Sequence, residues 1–286
     1  MQDSAEAAFQ EFITRVEPAH SAFEKTLTRG LADRARWSVT DQPGRMLVEL
    51  AVAATIPFLA GLSVIRDPIR AFAAEVFIRS ELEYMANVAF VTGHDSVHPR
   101  GTPEQRAACL GVAHARELAA FSGRLEVAPG QPMSNPDDLV NRAAALHDRV
   151  GCAFPGRGRW LCRSGYTHSM VKFTLGRLQR PEIPEQVRIP SYVVAIFEAT
   201  SLSTHLLGLG RFLLPDPKTG GIVFTPANLQ LRAYYVEALL FGIARGMQWT
   251  LDLLVPGVER PFADWWEQVQ NDPVYAEAKA GIIGES

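Results

Sequence analysis

TPANLQLRAYYVEALLFGIARGMQWTLDLL, residues 225–254, sets the fold class of this chain. Thr225 is a capping residue, whose side-chain oxygen accepts a hydrogen bond from a free backbone N–H of an opening helical turn. Pro226 follows at the first helical position, where its missing donor costs nothing. From there to Leu254 no second proline breaks the run, and apolar residues recur at helical spacing. The pattern predicts one helix of about 29 residues, roughly 43 Å long at 1.5 Å per residue.

The same punctuation recurs along the chain, at Asp67-Pro68, Thr102-Pro103, Asn135-Pro136 and Asp272-Pro273. Gln105 stands three residues after Thr102 and completes a capping box. Working outward from these marks, helices are predicted over 4–29 (bent at Pro18), 44–64, 68–91, 103–125, 136–150, 159–178 and 191–209. Short helices follow at 261–270 and 273–280. The segment 215–224, with Lys218-Thr219-Gly220-Gly221, reads as the longest connection in the second half. No long run alternates β-branched with polar residues, and no repeat or linker composition interrupts the chain. The expectation is an all-α protein of about eight to ten helices in a single domain, 1–286. Helices within 1–66 would pack on a core bundle, 67–255, with short helices in 256–286.

With 47% hydrophobic and 21% charged residues, the composition is that of an ordinary globular protein. Cys109, Cys152 and Cys162 are an odd number without disulfide-framework or zinc-finger spacing, so a reducing, cytoplasmic setting is the default. MQDSAEAAFQ at the N-terminus has no basic segment leading into an apolar core and does not read as a signal peptide. Leu50 to Ile65 is uncharged, but it falls short of the roughly 20 residues of a spanning helix and contains Pro57 and Gly61. It reads as a buried core helix, with no membrane association.

Charge is unevenly distributed. From Arg149 to Pro181 there is no Asp or Glu, while Arg149, Arg157, Arg159, Arg163, Lys172, Arg177 and Arg180 all fall there, in a chain of net −3. Phe154, Trp160, Tyr166 and Phe173 are interleaved with them. Basic residues with aromatics between them suit a phosphate or a nucleic-acid backbone. The alternative is a basic helix face that is solvated or paired with acidic helices. Arg163 and His168 form an Arg-x4-His pair inside this stretch. An Arg at such a site holds the phosphate and stabilises its developing charge, while a His moves the proton between the 2′-hydroxyl and the leaving oxygen. On a straight helix the two point about 140° apart, so one site needs a bend, for which Gly165 is suited, or a second subunit. Arg157, Arg159, Tyr166 and Lys172 are the accompanying candidates for substrate binding.

A second set of polar residues sits inside apolar helical runs: Glu49, Glu83, His168, Glu198, His205 and Glu237. A buried charge needs a partner or a metal. Four carboxylates and two imidazoles are the ligand inventory of a di-iron or di-manganese bundle, although the usual Glu-x-x-His pairs are absent. Simple neutralisation of Arg66, Arg79, Arg232 or Arg245 accounts for the same residues. Arg79 and Glu83, four apart on one helix face, are placed to pair.

The segment Ala74 to Tyr84, containing Arg79-Ser80-Glu81-Leu82-Glu83, resembles the Arg-Ser-x-x-Glu helix of a large, mostly uncharacterised bacterial family of helical proteins. Ser164-Gly165-Tyr166-Thr167-His168-Ser169 resembles that family's Ser-x-Tyr-x-His helix. The family is in turn similar to the HEPN superfamily of helical bundles, many of which are RNA-cleaving toxins or defence proteins working as dimers. The resemblance covers about Asp67 to Leu254. It implies a homodimer, with Arg163 and His168 as the catalytic pair and Arg79 and Glu83 as a conformational pair. Ser164 departs from the Asn or Asp that often follows the motif Arg in HEPN nucleases. Three expectations result. One is a HEPN-like protein binding RNA or another phosphate-bearing ligand, a metal-independent ribonuclease with no cofactor. Another is an iron or manganese oxygenase or oxidase. The third is a non-enzymatic interaction module.

Overall fold

At two of the marks read from the sequence the expected side-chain hydrogen bond forms, and at Thr102 it caps a helix. Thr102 Oγ1 accepts from the Gln105 N–H at 3.3 Å, and Gln105 Oε1 accepts from the Thr102 N–H at 3.1 Å, a complete capping box. Asp67 Oδ1 accepts from the Ile69 N–H at 2.8 Å. The computed structural model describes residues 2–18, 25, 42–122, 136–154, 156, 167–185, 187–204, 213–215, 218–224, 226–254, 267, 269–273 and 276. Among these the fold is all-α, with eight α-helices and one short hairpin. The helices are α1 (Gln2–Val16), α2 (Gln42–Ile65), α3 (Ala74–Thr92), α4 (Pro103–Ser122), α5 (Pro136–Val150), α6 (Thr167–Leu178), α7 (Ser191–Thr204) and α8 (Leu229–Leu254).

Three local expectations are corrected. The helix expected from Pro68 opens instead as a turn and a 3-10 segment, Ala71–Ala73, before α3 begins. The long helix starts at Leu229 rather than Pro226, because Asn228 supplies the cap: its Oδ1 accepts from the Leu231 N–H at 2.9 Å. Ala227, ahead of that cap, donates its N–H to the Pro68 carbonyl at 2.8 Å and packs with Ala71 and Phe72. The expected connection 215–224 contains most of a β-hairpin, β1 (Leu213–Pro215) against β2 (Ile222–Phe224), in antiparallel register with Leu214 opposite Val223. Gly220, at φ +68°, supplies the left-handed residue that the reversal needs.

The chain divides into two compact units. Met1–Arg36, Glu49–Met85 and Pro190–Ser286 form one; Trp37–Val48 and Ala86–Ile189 form the other. In the first, α8 is buried nearly all round, its polar Arg232, Glu237 and Gln248 included. Small residues set its packing. A Cβ on Gly242 would lie 2.9 Å from the Cβ of Glu81, and one on Gly61 would lie 2.6 Å from the Leu239 side chain, so α3 and α2 approach closely there. α1 buries Phe9, Phe12, Ile13 and Val16, one face at helical spacing. Arg232 of α8 is buried beneath it. Its guanidinium pairs with both Glu6 oxygens, at 2.7 and 3.0 Å, and donates to the Ile65 and Arg66 carbonyls at the end of α2. Burial alone would raise the Glu6 pKa; hydrogen bonds from Arg232 and Gln10 outweigh it and hold the carboxyl below its ordinary value.

α2 is long and apolar enough to cross a membrane by length and composition. The expectation of a buried core helix holds for one stripe, Leu47, Ala51, Ala54, Phe58, Leu62 and Ile65. It does not hold for the opposite face, where Val52 and Ile56 are 57% and 71% exposed.

The second unit packs α4 on α5, with α6 also against α4. Buried Ala107, Ala108, Leu110 and Val112 give α4 its apolar contact surface. Phe154 stacks on Phe90, with ring centroids 5.7 Å apart, and meets Phe173 of α6 edge-on at 6.1 Å.

Candidate functional site

Arg157, Arg159, Arg163, Tyr166 and His205 lie outside the described residues. His168 occupies the first turn of α6, and Lys172 is exposed in the middle of that helix. Arg79 and Glu83 pair as their spacing implies, with Nε 2.9 Å from Oε1, and the guanidinium lies over the Phe197 ring. The carboxylate set expected as metal ligands is not assembled among the described residues. Glu49 and Glu198 are exposed where a buried position was expected, Glu83 is engaged by Arg79, and Glu237 alone is buried. None of the four belongs to a group of converging donor atoms.

A buried ionic centre that the sequence did not announce lies in the second unit. After α3, Gly93 (φ +86°) closes the helix by donating to the Ala89 carbonyl at 2.9 Å, and the chain turns Asp95 inward to zero exposure. Arg106 of α4, 1% exposed, donates to Asp95 Oδ1 at 2.8 Å, to the Arg100 carbonyl at 3.0 Å and to the Phe90 carbonyl. The Phe90 and Phe154 rings flank its guanidinium at 5.1 and 5.7 Å. From α6, Arg177 donates Nε to the Asp95 carbonyl at 3.0 Å and stands 3.5 Å from Oδ2. Two guanidinium groups therefore share one carboxylate.

That sharing leaves positive charge uncompensated. Arg177 has its pKa lowered, first by burial and then by Arg106, Arg180 and Arg100, with only Asp95 acting the other way. Arg100 and Arg180 are exposed. Arg106 of α4 and Arg177 of α6 thus meet at one buried aspartate, with Arg100 before α4 and Arg180 just beyond α6 close enough to act on Arg177. Chemically, such a centre attracts anions at its exposed rim, while the buried pair holds the α3–α4 loop, α4 and α6 in register.

The second cluster in this unit consists of Cys109 on α4, His147 on α5 and Cys152 just beyond α5. One donor atom from each lies within 4.8 Å of the others. The absence of zinc-finger spacing concealed it, because Cys109 and His147 are 38 positions apart in the numbering and meet only through helix packing. The Cys-x4-His spacing within 147–152, read in reverse, was the available signal. These are the described residues with the donor set to hold a metal.

Comparison of the chain with protein-family models, with curated proteins and with solved structures finds no match.

Proposed function

We propose that this chain binds a phosphate-bearing ligand, RNA foremost, along its basic segment, as a HEPN-like helical protein. The observation that carries the reading is the arginine cluster at Asp95. Burial lowers the Arg177 pKa and Asp95 opposes that shift, while Arg106, Arg180 and Arg100 add to it, so positive charge is gathered around this one carboxylate. Lys172 extends this charge along α6 as an exposed cation. The acid-free sequence from Arg149 to Pro181 leads into the same helix. A field of one sign draws in a polyanion and makes binding salt-dependent.

In this reading Arg157, Arg159, Tyr166 and Lys172 contact the bound strand. Arg163 holds the scissile phosphate, and His168 transfers the proton between the 2′-hydroxyl and the leaving oxygen, with no metal in the step. A homodimer supplies the second copy of this pair, as the resemblance implies. Arg79 and Glu83 serve as a positioning pair.

The test is binding and cleavage of an end-labelled single-stranded RNA in EDTA. Wild type is expected to bind with an affinity that falls as salt rises. Lys172→Glu or Arg180→Glu should lower the log–log salt slope by about 0.7 for each phosphate that is no longer neutralised. His168→Ala should bind and fail to cleave. Salt-independent binding would overturn the phosphate reading, and cleavage retained by His168→Ala would overturn the catalytic one.

A further inference from the structure

We infer that Cys109, His147 and Cys152 form a binding site for a single zinc-class divalent ion, which ties α4, α5 and the entry to the basic segment together. Two thiols and an imidazole are the soft and borderline donors that such an ion prefers, and no carboxylate dilutes the set. Their donor atoms lie within 4.8 Å of one another. A tetrahedral ion with bonds of ~2.3 Å to sulfur and ~2.0 Å to nitrogen needs donors about 3.5 Å apart, so side-chain rotation of roughly an ångström closes the site. The three donors leave the fourth coordination place to a further ligand.

The surroundings point to a ligand independently of the spacing. His147 is 3% exposed, and its Nε2 is buried with no hydrogen-bond partner. Its Nδ1 stands 3.5 Å from the carboxylate of Asp148, the outer contact that commonly orients a ligating imidazole. The Phe154 N–H donates to Cys152 Sγ at 3.4 Å, a backbone contact that fixes the position of this sulfur.

Backbone geometry holds the three in place. Gly151, at φ +87°, ends α5 by donating to the His147 carbonyl at 3.0 Å, and this reversal returns Cys152 toward the helix it has just left. Gln105, one turn ahead of Cys109 on α4, donates Nε2 to the Val150 carbonyl at 3.0 Å. Both cysteine-bearing segments are therefore pinned to one another before any ion arrives, which reduces the ordering cost of binding. The site does not depend on the phosphate reading.

The experiment is titration of the reduced, chelator-treated full-length protein with cobalt(II), followed by displacement with zinc. The expected result is one cobalt per chain, with a thiolate-to-cobalt charge-transfer band and intense tetrahedral d–d absorption, both abolished when one equivalent of zinc is added. Cys109→Ser, His147→Ala and Cys152→Ser should each weaken zinc binding by more than about 100-fold, beyond the cost of removing an outer hydrogen-bonding partner. Where circular dichroism shows that a variant does not fold, the wild-type cobalt spectrum decides alone. No charge-transfer band in the wild type, or a band unchanged in folded Cys109→Ser and Cys152→Ser proteins, would overturn the site.

Discussion

Tyr84 occupies the space that a side chain on Gly246 would need: a Cβ there would lie 2.2 Å from the ring carbon Cε1. The phenol is buried against α8 and its hydroxyl lies 3.5 Å from Thr250 Oγ1. One turn earlier, Gly242 meets Glu81 in the same way. Glycines four apart on α8 thus receive residues three apart on α3, and this is what lets the two helices approach closely. Gly246→Ala is expected to destabilise the protein by roughly 1–3 kcal/mol, because a buried ring would have to shift to admit the methyl group. A lower urea midpoint with an unchanged slope is the outcome to look for. An unchanged midpoint would mean that α3 does not pack on α8 at this position.

Glu81 gives a pH prediction with a definite sign. It is fully buried, and neither oxygen has a hydrogen bond of normal geometry. Burial pushes its pKa well above the ordinary carboxylate value, with the Phe58 backbone acting in the opposite sense. The folded state therefore keeps a proton that the unfolded chain loses above about pH 4.5. Its stabilising effect is fully present below the unfolded pKa and declines as pH rises toward the folded value, by at most about 1.4 kcal/mol per pH unit for one proton. Glu81→Met keeps the volume and removes the titratable carboxyl. It should abolish that slope and raise stability at neutral pH by about 1–3 kcal/mol, the cost of a buried polar group left unsatisfied. Urea unfolding of both proteins at several values between pH 5 and 8 would show it, and parallel pH profiles would refute it.

Caps and apolar periodicity made the helices legible. The Thr102–Gln105 box and the 136–150 helix follow from nearest-neighbour chemistry, which a sequence displays directly. The Arg79–Glu83 pair was legible for the same reason, being one turn apart. The long helix starts after Asn228 rather than at Pro226, and Ala227 is bound to the Pro68 carbonyl, a long-range contact that no local pattern carries. The hairpin 213–224 was missed because its strands are three residues each, too short for alternation to register. The buried centres were hidden for a related reason. Asp95 sits in a polar loop between His94 and His98, and Cys109 sits far from His147, so only helix packing joins them to their partners. Conversely, Glu49 and Glu198 lie in runs apolar enough to suggest burial, yet they point to solvent. Hydrophobic neighbours identify a helix more securely than they identify its inner face.

The Asp95 centre allows its coupling to be measured. Asp95→Asn would leave Arg106, 1% exposed, without its counter-charge, and stripping one member from a buried ion pair costs roughly 3–5 kcal/mol. Arg106→Met alone would leave Arg177 as the carboxylate's remaining partner, at 3.5 Å, so it should cost less than Asp95→Asn. Removing both charges takes away the repulsion and the unpaired desolvation together. The double variant is therefore expected to be more stable than the sum of the two single effects implies, by about 0.5–3 kcal/mol, the range for residues in one network. Urea unfolding of the four proteins closes the cycle. Additivity within about 0.5 kcal/mol would mean that the two side chains act independently, and the buried pair would then not organise this unit.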